Sequence, residues 1–136
     1  MRPALVALAL LAAPPATAAA AETAVDAERF ETMSTGRTLR FSRRGAPYGA
    51  EQYLPGRRVI WQYADGSCSH GFWYDGGEAL CFVYEDTPSP QCWIFSRRDG
   101  DFFARMAGVA AGDPSELRLS ATSPAPLDCP GPDLGA

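Results

Sequence analysis

The stretch DGSCSHGFWYDGGEALCFVYEDTPSPQCW, Asp65 to Trp93, holds three of the chain's four cysteines and its only histidine within aromatic runs separated by Gly and Pro turns. Its runs, Cys68 to Tyr74, Ala79 to Glu85 and Gln91 to Arg97, are rich in Phe, Tyr, Trp and Val, the signature of strands. The connections DGGE and EDTPSPQ are too short for a crossover helix, so neighbouring strands must pair antiparallel. A two-residue turn at Gly76 and Gly77 sets Asp75 opposite Glu78, Trp73 opposite Leu80 and His70 opposite Val83. In the next hairpin, Cys81 falls opposite Cys92 and Leu80 opposite Trp93. Because side chains alternate, Trp73, Leu80, Phe82, Trp93 and Phe95 share one face, and Cys68, His70, Cys81 and Cys92 share the other.

Four potential ligands on one face raise three possibilities: a metal site, a reactive thiol or a disulfide framework. Four cysteines allow three pairings. In this register Cys68 lies ~13 Å along the sheet from Cys81, beyond the ~7 Å Cα separation that a disulfide tolerates. Directly opposed, Cys81 and Cys92 can bond, which leaves Cys68 for Cys129. A pairing of Cys81 with Cys92 and of Cys68 with Cys129 is therefore expected. The second closes a loop of about sixty residues, stabilising by ~4 kcal/mol in the chain-entropy account. No C-x-x-C or H-x-x-x-H spacing supports zinc, and disulfide formation removes the thiol that nucleophilic catalysis needs. No metal and no cofactor are expected, and His70 reads as a strand residue without chemical role.

Working outward, further strands are read at Arg37 to Ser42, Tyr48 to Leu54, Arg57 to Tyr63, Asp101 to Met106 and Glu116 to Ser120, with short Gly or Pro turns between most of them. The fold expected is mainly β, an antiparallel eight-stranded meander or small barrel, because closure removes the exposed edges of a flat sheet. Before it, TAVDAERFETM pairs Thr23 with Asp26 as a capping box, and Val25, Phe30 and Met33 form the apolar face of a short helix ending near Gly36. After it, SATSPAPLDCPGPDLGA is too rich in Pro for a central strand and reads as a strap tied by Cys129.

The N-terminus has Arg2, an apolar run from Ala4 to Ala13, then small residues with A-x-A motifs at Ala16 to Ala18 and Ala19 to Ala21. This order predicts a secretory signal peptide over residues 1–21, ahead of a single domain over 22–136 whose tail is 121–136. The run is too short to span a bilayer. Export implies a periplasmic or secreted location, where disulfides persist. The 136-residue chain carries 12 Arg, no Lys and 16 acidic residues, a net charge of −4, which argues against nucleic acid or an anionic membrane as partner.

Two further groups are candidate sites. Turning the chain at Pro55 and Gly56 places Tyr48, Ala50, Gln52, Val59, Trp61 and Tyr63 on one face, and Glu51, Tyr53, Arg58 and Ile60 on the other. Of the first set, Tyr48, Gln52, Trp61 and Tyr63 could line a small-ligand cavity, since eight strands enclose room for core side chains or one small ligand. Arg57, Arg58, Arg97 and Arg98 lie at strand ends on one rim, opposite the end carrying Arg43 and Arg44, and form a candidate anion-binding rim, diluted by nearby Asp75, Glu78, Asp99 and Asp101. No G-x-S-x-G, ordered Ser-His-Asp set or phosphate loop is present. No catalytic residue is assigned and no enzymatic activity is expected.

The runs FETMSTGRTLRF, PYGAEQYLPGRRVIWQY, CSHGFWY, LCFVYED, QCWIF and LDCPGPDLGA together resemble a family of small exported alphaproteobacterial proteins of unknown function. The resemblance implies origin and compartment. More weakly, GFWYDGGEALC is similar in layout to lipocalin-like bacterial protease inhibitors, and the whole to periplasmic lysozyme inhibitors, both small disulfide-bearing β-barrels. The tight separation of Cys81 and Cys92 departs from the longer one expected of the former. The leading expectation is a noncatalytic envelope protein, a disulfide-stabilised binding or inhibitor-like module that meets an unknown protein or small ligand as a monomer. A small-molecule carrier with an aromatic-lined barrel is the alternative, and a Cys/His metal or redox protein is a more distant one.

Overall fold

In the computed structural model, residues 1, 3, 10–16 and 21–131 are described. Most of the expected leader, the greater part of its cleavage motifs and the end of the tail lie outside the described residues. The described chain runs β1 (Thr23–Ala24), α1 (Ala27–Ser34), β2 (Thr38–Arg43), β3 (Ala46–Leu54), β4 (Arg58–Tyr63), β5 (Cys68–Asp75), β6 (Leu80–Tyr84), β7 (Gln91–Arg98), β8 (Asp101–Met106) and β9 (Leu117–Ser123). Every pairing is antiparallel, and eight strands, β2 to β9, close into a barrel through the β7–β8 and β9–β2 pairings. β1 adds a two-residue pairing to the far part of β7, opposite Arg97 and Ser96.

Turn chemistry explains the hairpins. Arg44-Gly45 and Asp99-Gly100 have positive φ at both central residues, the backbone that matches the twist of two flanking strands. The turn after β5 is wider than the sequence suggests. Gly77 N–H donates to the Asp75 carboxylate and Gly76 N–H to the Ala79 carbonyl, so Asp75 pairs with Leu80 and Trp73 with Phe82. The register moves by two residues, which preserves the faces, and His70 now lies beside Glu85, not opposite Val83. Cys81 and Cys92 are paired as expected.

Both disulfides form as expected, Cys81 with Cys92 and Cys68 with Cys129. The second anchors the strap across the outer wall. Thr38 of β2 donates to the Ala125 carbonyl, Gln52 of β3 accepts from Leu127 N–H, and Gln62 of β4 donates to the Asp128 carbonyl before Cys129 reaches β5.

The helix begins one turn later than a Thr23 cap would place it. Asp26 is the cap, accepting from Arg29 N–H at 2.9 Å, while Thr23 lies extended in β1. A carboxylate beside the helix N-terminus also complements its dipole. α1 lies across the end of the barrel where β3 and β5 finish, and inserts Phe30 between Tyr53, Trp73, Phe82, Phe95 and Phe102, with ring centroids 4.4 to 6.5 Å apart. Phe30 is fully buried. That end of the barrel is closed by the chain itself.

Candidate functional site

The other end is open. Between the ends of β2, β4 and β6 and the starts of β3 and β7, the barrel encloses a cavity of about 550 Å³, a volume typical of small-molecule sites. Tyr48, Trp61, Tyr63, Tyr84 and Trp93 supply much of its aromatic lining, and Phe82 and Phe95 lie deeper. Of its two acidic residues Glu51 is the buried one, with Asp65 exposed in the loop after β4.

Local geometry explains how each wall residue arrives. The turn between β3 and β4 has three residues, Pro55 to Arg57, with Gly56 and Arg57 both at positive φ. That extra residue pairs Leu54 with Arg58, Tyr53 with Val59 and Glu51 with Trp61. Relative to a two-residue turn at Pro55 and Gly56, one strand's faces exchange: Glu51 and Tyr53 point inward with Val59, Trp61 and Tyr63. Gln52 is the correction this forces. It lies on the outer wall, bonded to the strap through Leu127 N–H at 3.0 Å, and does not line the cavity. By alternation Tyr48 would also point outward, but β3 carries an extra residue there, since Phe41 pairs with Gly49 and Ser42 with Pro47. The bulge turns Tyr48 into the cavity. Gly49 leaves the space against which the Trp61 indole packs, because a Cβ there would stand 2.3 Å from its ring.

Inside, Glu51 accepts a hydrogen bond from the Tyr84 hydroxyl, and the Tyr53 hydroxyl lies beside the same carboxyl. Burial pushes Glu51 up to about 7, against the two phenols that favour its anion. Tyr53 and Tyr84 are held well above their ordinary values, first by burial and then by the neighbouring carboxyl. At the rim Asp86 accepts from the Ser69 hydroxyl at 2.6 Å and the Tyr63 hydroxyl at 2.7 Å, tying β4, β5 and the loop after β6. These bonds hold Asp86 below the usual carboxyl range, while Tyr63 rises to about 12, mainly by desolvation. Arg43 lies over the Tyr48 ring, 4.7 Å from its centroid.

Arg57, Arg58, Arg97 and Arg98 do lie at the closed end, yet each has an individual partner. Arg57 bonds Glu31 of α1 at 2.9 Å and stacks over Trp73 at 4.5 Å. Arg97 lies over Phe102 and approaches the Met33 sulfur. Arg58 donates to the Pro55 carbonyl, and Arg98 is paired with Glu116 and lies over Phe103. The rim they were expected to offer to an anion is largely occupied by the chain's own carboxylates and rings, with Arg57 and Arg97 steadying the capping helix.

His70 lies on the outer wall with Nδ1 3.2 Å from Glu85. Among the described residues no three His, Cys, Asp or Glu side chains are grouped to hold a metal, and no helix is long and apolar enough to cross a membrane. Comparison with known protein families, with curated proteins and with solved structures finds no match.

Sequence reasoning found Tyr48, Trp61 and Tyr63 as cavity residues and missed Glu51, Tyr84 and Trp93. For Glu51 the available signal was a single acid within the aromatic run YGAEQYL, readable only once the turn length was known.

Proposed function

We propose that this is an exported, noncatalytic carrier that binds a small molecule inside the open end of its barrel. The observation that carries the reading is the aromatic-lined cavity of about 550 Å³ set above a fully buried plug, Phe30. Had the barrel needed only a core, the same rings could have met at the centre, as they do around Phe30; instead Trp61, Trp93, Tyr48 and Tyr63 stand around empty volume. Two disulfides support a working life in an oxidising compartment such as the periplasm. They also fix the wall, since rigid sites lose less conformational entropy on binding.

Because Trp61 and Trp93 line the cavity, binding should be read directly by their fluorescence. Titration of the oxidised protein with apolar, aromatic, amine and lipid ligands is expected to give a saturable emission change with at least one class, and Trp61→Ala to weaken that binding ~10-fold by removing one wall. Emission that stays flat across the whole set overturns the carrier reading.

A further inference from the structure

Glu51 is the cavity residue that barrel packing does not call for. It rises from the middle of β3, is 3% exposed, and has neutral phenols, Tyr84 and Tyr53, as its hydrogen-bonding neighbours. Among the described residues no Arg or His forms an ion pair with it. Arg43, the cation in the cavity's lining, is instead placed over Tyr48 near the rim. A carboxylate in such surroundings is costly without a counterion, and a side chain serving only to fill space would need no charge.

The surroundings favour one sign of ligand charge. Tyr48, Trp61, Tyr63 and Trp93 share the cavity with Glu51, and aromatic rings attract cations through the negative potential of their faces. A carboxylate ligand would meet Glu51 as a like charge. A neutral ligand would leave its charge with hydrogen bonds from the two phenols and no counterion. An organic cation satisfies both the acid and the rings, and its apolar body fills the remaining volume. We propose that the cavity binds an organic ammonium ion, an amine with an apolar or aromatic body, whose nitrogen is held by Glu51. This rests on the carrier reading and names its ligand class.

The pairing couples binding to protons. The titratable and charged groups facing the same space are Arg43 of β2, Tyr48 and Tyr53 of β3, Tyr63 of β4, Tyr84 of β6, and Asp65 beyond β4, with Asp86 bonded at the rim. Tyr53, Tyr63 and Tyr84 are raised and stay neutral near pH 7, and Asp65 and Asp86 are lowered and stay charged. Among these shifted groups Glu51 is the one that titrates near neutrality, so amine affinity should fall about tenfold for each pH unit below about 7.

Titration calorimetry on the oxidised protein tests this with 2-phenylethylamine and octylamine against 2-phenylethanol, octanol, phenylacetate and octanoate near pH 8, then near pH 6. At least one amine is expected to bind ~10-fold or more tightly than its alcohol at the higher pH, and to lose that advantage at the lower one. Glu51→Gln should abolish the amine preference while retaining alcohol binding, with unfolding curves showing that the variant folds. Equal affinity for amine and alcohol, tighter carboxylate binding, or an amine preference that survives in Glu51→Gln overturns the amine assignment and leaves the carrier reading standing. No binding by any of the six compounds overturns the amine assignment, and the carrier reading falls with it if the fluorescence set is also silent.

Discussion

The two ends of the barrel are built from the same residue types and do opposite things. At the closed end five aromatic rings surround Phe30, which is fully buried. At the open end the rings are partly exposed, Tyr63 to 39%, and they surround volume. Aromatic richness alone therefore cannot tell core from pocket. The difference lies in what enters: α1 delivers Phe30 to one end, whereas no described segment fills the other. Polar placement follows suit, because the closed end pairs its arginines with Glu31 and with ring faces, while the open end keeps Glu51 unpaired by any cation.

The largest expected effect comes from removing the plug. Phe30→Ala would leave a void beneath the cavity and is expected to cost ~3–5 kcal/mol in urea unfolding, the usual range for a buried Phe. A loss below ~1 kcal/mol would mean that the rings collapse into the space, and the contrast between a packed and an open end would dissolve.

Next comes a pH effect specific to the open end. Glu51 is raised in the folded state to about 7, from an ordinary value of 4.5, by burial. A folded acid with a raised value keeps a proton that the unfolded chain releases. Its contribution is therefore fully present below about pH 4.5 and is lost as pH rises to about 7. Integrated over that interval the loss is ~3 kcal/mol. Glu22, Asp65, Glu85, Asp86 and Asp113 are lowered and work in the opposite sense. Subtracting the Glu51→Gln curve from the wild-type one isolates Glu51. A difference that stays level between pH 4 and 8 would show that Glu51 is not a desolvated acid.

Both ends were only partly legible in the sequence, for a definable reason. Strand positions, the antiparallel order and the Cys81–Cys92 bond follow from local signals, namely alternating apolar residues, Gly turns and two cysteines facing across a hairpin. Cys68–Cys129 follows only by elimination, and closure of the sheet rests on the long-range pairing of β9 with β2. A side chain's choice of inside or outside depends on the parity of each turn, and parity is decided by single residues. An even error, as at Gly76 and Gly77, left every face intact. The odd one at Arg57 sent Gln52 outward and Glu51 inward, and the bulge at Tyr48 then reversed parity again within the same strand. Phe30 as plug was hidden for another reason: a helix's apolar face is visible in sequence, but the end of the barrel it covers is a property of the closed sheet.

The smallest expected effect tests whether the closed end is held by charge or by packing. Arg57 joins α1 to the barrel in two ways, an ion pair with Glu31 and a cation–π contact with Trp73. Both pair members are more than a third exposed, at 36% and 40%, so solvent screens the charge and the pair should contribute well under ~1 kcal/mol. Stacking on Trp73 adds about 0.5–1 kcal/mol. Arg57 also occupies a positive-φ position in the turn, so Arg57→Gly relieves backbone strain while removing both contacts, whereas Glu31→Gln removes the charge alone. Glu31→Gln is expected to shift unfolding by less than ~0.5 kcal/mol. If it costs as much as Phe30→Ala, the closed end is an electrostatic latch, and the plug is secondary to the arginine that holds its helix in place.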